Sequence, residues 1–198
     1  MSKRMISFLM AALLLLSLCA CQGSEAAKPE ADILSVLCPE YFGLRFAGGE
    51  EWYIADEEEM NEVRGFAVAE LSEDELREWL APGAGIPVFQ ASGELGTASV
   101  AVQSVGELDT ERAVMEATCE NIAASFAVYG IACETAEVIE VELAGQTHTG
   151  MKLHVSIGGV DSYELIVAVK KGDHFALVAG TSHPEDNTSE ILEAFVSE

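Results

Sequence analysis

The chain has 198 residues, with 34 acidic side chains against 10 basic ones and a formal net charge of −24 at pH 7. That balance argues against nucleic-acid binding, which needs clustered Lys and Arg to neutralise phosphates, and against electrostatic docking on anionic lipid. Its apolar content of 49% suffices for a core that buries roughly 70% of the unfolded surface, and the length suits one domain.

The first 21 residues place Lys3 and Arg4 before an apolar run from Met5 to Leu18, which stops at Leu18-Cys19-Ala20-Cys21. The run is short for the ~30 Å hydrocarbon core of a bilayer, so it reads as a removable signal and not as a membrane-spanning anchor. The arrangement resembles a bacterial lipoprotein signal. In that pattern an aliphatic residue stands three places before the modified cysteine and a small one directly before it, as Leu18 and Ala20 do for Cys21. With Cys19 as acceptor, the bulky Leu18 would fill the small position. The resemblance implies cleavage between Ala20 and Cys21, a diacylglycerol on Cys21, and a place on the extracytoplasmic face of the cell membrane.

Loss of residues 1–20 removes Lys3 and Arg4 and no acid, which takes the mature charge to −26. Anchoring then falls to acyl chains, each buried methylene contributing about 0.8 kcal/mol, with two or more chains needed for stable attachment.

Residues 21–34 read as the lipidated cysteine and a flexible tether, since Gln22 to Asp32 has no apolar periodicity; its eleven residues would span about 20 Å as coil. Residues 35–198 are expected to form one α+β domain. A strand is expected near Tyr41–Phe46, then a Gly48-Gly49 turn and Trp52. Asp56 with Glu59 forms a capping-box pattern that opens a short acidic helix through about Arg64, and Ser72 with Glu75 repeats it for a helix ending before Pro82-Gly83. Val88–Ala91 and Ala98–Val105 read as a hairpin across Gly93-Glu94-Leu95-Gly96.

The longest helix is expected from about Thr110 to Val128, with Met115, Cys119, Ile122 and Phe126 on one face. Four strands follow at Val138–Leu143, Met151–Ile157, Tyr163–Val169 and Phe175–Thr181. Met151, Leu153, Val155 and Ile157 alternate with Lys152, His154 and Ser156, the pattern of a sheet with one buried face. A capping box from Asn187 to Glu190 opens a last helix from about Thr188 that offers Ile191, Leu192 and Phe195 to the sheet. The sum is an α+β layout on a mainly antiparallel sheet with one core and no repeat.

The glycine turn at Gly145, the alternating strand Met151–Ile157, Tyr163 opening the next strand, Lys170-Lys171-Gly172, Phe175 and the terminal Phe195 together resemble the Mog1/PsbP-like fold. Tyr41-Phe42-Gly43-Leu44 followed by Trp52 is similar to the opening of acidic lipoproteins with that apparent fold, so the likeness covers Tyr41 to Phe195. It implies a binding protein or extrinsic subunit, and it carries over no catalytic or binding residue.

The side chains that bear chemistry form no recognised constellation. His148, His154, His174 and His183 lack metal-ligand spacing, and simple register (Met151, Val169 and His174 side by side) would put His154 and His174 on opposite faces. Asp56-Glu57-Glu58-Glu59 lacks the ligand spacing of a calcium loop and suits a helix start. Ser182 and His183 are adjacent, too close in sequence for a hydroxyl and its base, and Cys38, Cys119 and Cys133 have no catalytic signature. Trp52, Trp79, Tyr41 and Phe42 suit core positions better than a recognition patch.

No catalytic residue, metal ligand or cofactor is therefore assigned. The expected role is non-enzymatic: a lipid-anchored domain that binds a protein partner or envelope component, with a small-ligand or calcium sensor as the alternative.

Overall fold

Local chemistry starts both short helices. In the computed structural model, which describes residues 33–83, 85–128 and 131–198, helix α1 (Glu57–Arg64) begins at Asp56, whose carboxylate accepts from the Glu59 amide at 3.0 Å. The Glu59 side chain accepts from the Asp56 amide at 3.1 Å in return. Helix α2 (Glu73–Trp79) opens the same way from Ser72 and Glu75. Both are the expected capping boxes, each meeting two amides that the helix leaves free. The signal, its cleavage point at Ala20 and Cys21, the lipidation site Cys21, and the tether up to Asp32 lie outside the described residues.

The strands are β1 (Leu44–Phe46), β2 (Tyr53–Ile54), β3 (Ile86–Ser92), β4 (Thr97–Ser104), β5 (Ala132–Leu143), β6 (Gln146–Ile157), β7 (Val160–Lys171), β8 (His174–Ser182) and β9 (Phe195–Ser197). Helix α3 spans Glu111–Val128 and α4 spans Thr188–Glu193. A seven-stranded sheet runs β2-β3-β4-β8-β7-β6-β5 with every pair antiparallel, and β1 and β9 form a separate two-stranded ribbon. The fold is α+β on an antiparallel sheet, as expected. The hairpin and the four-strand meander stand where they were predicted, with longer strands.

Several expectations are corrected. Tyr41 and Phe42 belong to a 3-10 turn (Pro39–Phe42) and not to a strand, because Pro39 sets the turn and Gly43 ends it at φ 75°. Asn187 makes no side-chain cap; instead the Asp186 carboxylate accepts from the Thr188 hydroxyl at 2.7 Å and its amide at 3.3 Å. Phe195 is buried in β9 against β1, so it reaches the core from the ribbon and not from a helix.

The expected single core is two clusters, one on each face of the sheet. One joins Val100, Val102, Leu165, Val167, Val169 and Val178 to Phe42, Leu44, Leu76, Leu80, Ile191 and Phe195. The other packs Val114, Met115, Ile122 and Phe126 of α3 against Met151, Leu153, Val155, Ile166, Phe175 and Leu177. Strand β8 is buried on both faces from Phe175 to Ser182, whereas Lys152, His154 and Ser156 leave one face of β6 half-buried as the alternation requires.

Two close fits set the layers. A Cβ on Gly180 would lie 2.9 Å from the Thr188 carbonyl oxygen and 3.1 Å from Ile191 Cγ2, so the missing side chain lets α4 lie on β8. At the other face, β6 and β7 pair only as far as Thr149 and Ala168 and then part. The Glu111 carboxylate enters that fork and accepts from the Thr149 amide (3.1 Å), the Lys170 amide (3.2 Å) and His148 Nδ1 (2.9 Å). It thereby ties the first turn of α3 to both strands.

Gly180→Ala is expected to destabilise the fold by about 1–3 kcal/mol through overpacking, read as a lower midpoint in urea. Glu111→Ala, which orphans two amides, is expected to cost about 2–4 kcal/mol in the same assay.

Candidate functional site

Helix α3 lies over β5, β6 and β7, while α1 packs against β3, where Arg64 Nη1 donates to the Pro87 carbonyl at 3.3 Å. The alternation of β3 and β4 distinguishes their two faces. Ile86, Ala98, Val100 and Val102, which point to the first cluster, have 0% exposure, and Phe89 on the same face is half-buried. Their neighbours on the α3 side, Gln90, Ser92, Thr97, Ser99 and Ala101, are only half-buried and mostly polar. This part of the face is thus a half-buried polar floor beside α3.

The strand registers connect this floor to the interior. Leu153, Glu164, Thr181, Thr97, Ser92 and Tyr53 are successive partners from β6 to β2 and so lie in one row on the α3 side. Tyr53 at the outer end is 60% exposed, Thr181 is 8% exposed, and Glu164 at the inner end is 1% exposed.

Glu164 is an unusual residue for such a position. The Thr181 hydroxyl donates to its Oε1 at 3.5 Å, a long bond, and its Oε2 has no partner. Burial pushes the carboxyl up to about 8, so it holds its proton at neutral pH. The buried Ser162 Oγ, two residues earlier on the same face, is also unpartnered, as is His183 Nδ1, one step beyond the Tyr163–Ser182 pair. Three of the four unpartnered buried side-chain atoms among the described residues therefore gather at one end of β7 and β8; the fourth is Arg64 Nε. Such atoms are costly, and native proteins keep few of them.

The residues singled out in the sequence fall elsewhere or into structural roles. His148 binds Glu111, and His154 stacks on Tyr163 at 4.5 Å with Asp161 3.2 Å from its Nε2. His174 packs edge-on to Tyr41, and burial lowers its pKa. The register differs from the simple one, with Met151 opposite Ile166, so His154 and His174 share a face. They stand eight residues apart along β8, about 26 Å. No group of three or more potential metal ligands occurs among the described residues.

Asp56 and Glu59 cap α1, Glu57 pairs with Arg64 at 2.5 Å, and the Tyr53 hydroxyl donates to Glu59 at 2.5 Å. Ser182 Oγ accepts from the Asn187 amide at 3.0 Å. Cys38, Cys119 and Cys133 are free, and burial raises all three thiols, which keeps them protonated and poorly nucleophilic. Phe42 is core, Tyr41 and Trp52 pack against it, and Trp79 is exposed with Phe66 tilted on its ring at 4.4 Å.

Glu164 escaped the sequence reading, although a signal was present. It is the acid in an otherwise apolar strand, Tyr163-Glu164-Leu165-Ile166-Val167-Ala168-Val169, at a position whose alternate neighbours Ile166 and Ala168 face a core. No protein-family model matches the chain, and no curated protein does.

Because the folded carboxyl titrates near 8 and an unfolded one near 4.5, the folded state binds the extra proton between these values. Its stabilising contribution is present below about pH 4.5 and is lost as pH rises through 8. The midpoint of thermal unfolding is therefore expected to fall between pH 5 and 8 by an amount that Glu164→Gln abolishes, with the variant more stable than the parent at pH 8.5.

Proposed function

We propose that this chain is a lipid-anchored, extracytoplasmic, non-enzymatic binding protein that receives a protein partner on the polar floor of its sheet. The observation that carries the reading is the contrast within β3 and β4, where Ile86, Ala98, Val100 and Val102 are fully buried on one face and the half-buried Gln90, Ser92, Thr97, Ser99 and Ala101 lie on the other. An antiparallel sheet tolerates one wet face, and polar side chains in a row beside a helix suit a bound segment. The net charge of −24 favours a partner that is basic where it docks.

The N-terminal pattern supports an anchor on Cys21 after cleavage behind Ala20, with the membrane reached through lipid alone. The likeness to the Mog1/PsbP-like fold supports binding over catalysis, because members of that fold are mostly extrinsic subunits and binding proteins. Nucleic acid has no place in this reading, given the acidic charge.

Site-specific photo-crosslinking in intact cells tests it. A photoreactive residue at Ser99 is expected to capture one protein in good yield, whereas one at the exposed Asp74 on α2 does not. Cys21→Ser is expected to abolish the capture at Ser99. Equal capture from both positions, or none from Ser99, contradicts the proposal.

A further inference from the structure

The inner end of the polar row has a more specific use. We propose that Glu164, Ser162 and Thr181 form a socket for a primary ammonium group, brought by a free amine or by a lysine side chain of a bound segment. The lysine source rests on the partner reading above; the free-amine source does not.

The chemistry is a match of number and type. A primary ammonium offers three N–H donors and no acceptor. Glu164 Oε2 and Ser162 Oγ are buried acceptors without a partner, and the Thr181 hydroxyl is held to Glu164 by a single long bond. Glu164 and Ser162 are both 1% exposed, so a donor arriving there would meet them out of competition with water. Thr181 keeps 8% exposure and lies between Glu164 and the half-buried floor at Thr97, which gives the direction of entry. Leu153 and Val155, the β6 partners of Glu164 and Ser162, are apolar neighbours that suit the methylene stem behind an ammonium.

The socket is neutral until it is filled. Among the described residues no cation pairs with Glu164; Lys170, on the same face, is six residues along β7, about 20 Å away, and donates to the Asp109 carbonyl. Among the described residues, the other titratable groups on this side of the sheet are His183 after β8, Cys119 and Glu111 on α3, Cys133, Glu140 and Glu142 on β5, Lys170 on β7 and Tyr53 at the outer end of the row, while Arg112, Glu116 and Glu120 of α3 are exposed. Lys152 and Asp186 pair with each other, with Lys152 on the opposite face. An entering ammonium supplies the positive charge that lets the carboxyl ionise, so binding expels the Glu164 proton to solvent.

Titration calorimetry on the detergent-solubilised full chain tests the socket, with putrescine, the peptide Gly-Gly-Lys-Gly-Gly and the uncharged 1,4-butanediol as probes. Putrescine or the peptide is expected to bind with release of close to one proton at pH 7, read from the dependence of the heat on buffer ionisation enthalpy. Affinity is expected to rise about eightfold from pH 7 to 8.5, and butanediol is expected not to bind. Putrescine alone binding assigns a free amine; the peptide binding as well admits a lysine side chain.

Glu164→Gln is expected to weaken binding at least tenfold, and Ser162→Ala and Thr181→Val several-fold, with Glu58→Gln on the exposed surface unchanged. Failure of both amines to bind overturns the socket. Binding that Glu164→Gln leaves intact also overturns it, because the amines are then only screening the acidic surface. If the amines fail while Ser99 still crosslinks one protein, the socket falls and the partner reading stands; the reverse result separates them the other way.

Discussion

The three hydrogen bonds that Glu111 accepts decide what the rest of the molecule can be. The carboxylate sits where β6 and β7 diverge, holding an amide from each strand and the His148 ring. Two amides that would otherwise be orphaned are thereby met, and the start of α3 is fixed over the β5–β7 half of the sheet. A helix started there runs over Met151, Leu153, Val155 and Ile166, and β3 is met by α1 instead. Lys170 strengthens the same junction, its Nζ donating to the Asp109 carbonyl at 2.5 Å.

The other face is closed by different means. Short turns, α2, α4 and the β1–β9 ribbon together do there what one long helix does on the α3 side. Gly180 lets α4 approach β8, and Gly96 brings the β3–β4 turn so close to Thr181 that a Cβ would lie 2.0 Å from its carbonyl oxygen. The result is a sheet with a core cluster on each face and a half-buried polar floor on β3 and β4. The polar row from Glu164 to Tyr53 runs from the buried interior to the sheet edge, so the buried acid and the half-buried polar floor belong to one row.

Local signals in the sequence were the most legible. The capping boxes at Asp56 and Ser72, the hairpin around Gly93–Gly96, the apolar stripe of α3 and the strand order of the meander depend on neighbours a few residues apart, and each formed. Features set by distant partners were not legible. The β1–β9 ribbon joins residues at opposite ends of the described chain, whereas the β6–β7 register follows from the two-residue Gly158-Gly159 turn that pairs Ile157 with Val160, a local signal that the simple register passed over. Two cores follow from helices and turns covering both faces of β8, whereas period-two alternation in β6 alone suggested one. For the candidate site, the misplaced acid in the apolar strand was visible, but only the register shows that Thr181 and the polar floor continue from it.

The sheet beneath α3 buries a carboxyl with one oxygen unpartnered, and the proposed socket depends on that carboxyl being desolvated. Carbon-detected NMR titration of the Glu164 side-chain carboxyl in the ligand-free protein tests it most directly. The account predicts an apparent pKa near 8, moved there by burial. A carboxyl that titrates in the ordinary range near 4.5 would be solvated or paired, and would contradict both the socket and the electrostatics that connect it to the polar floor.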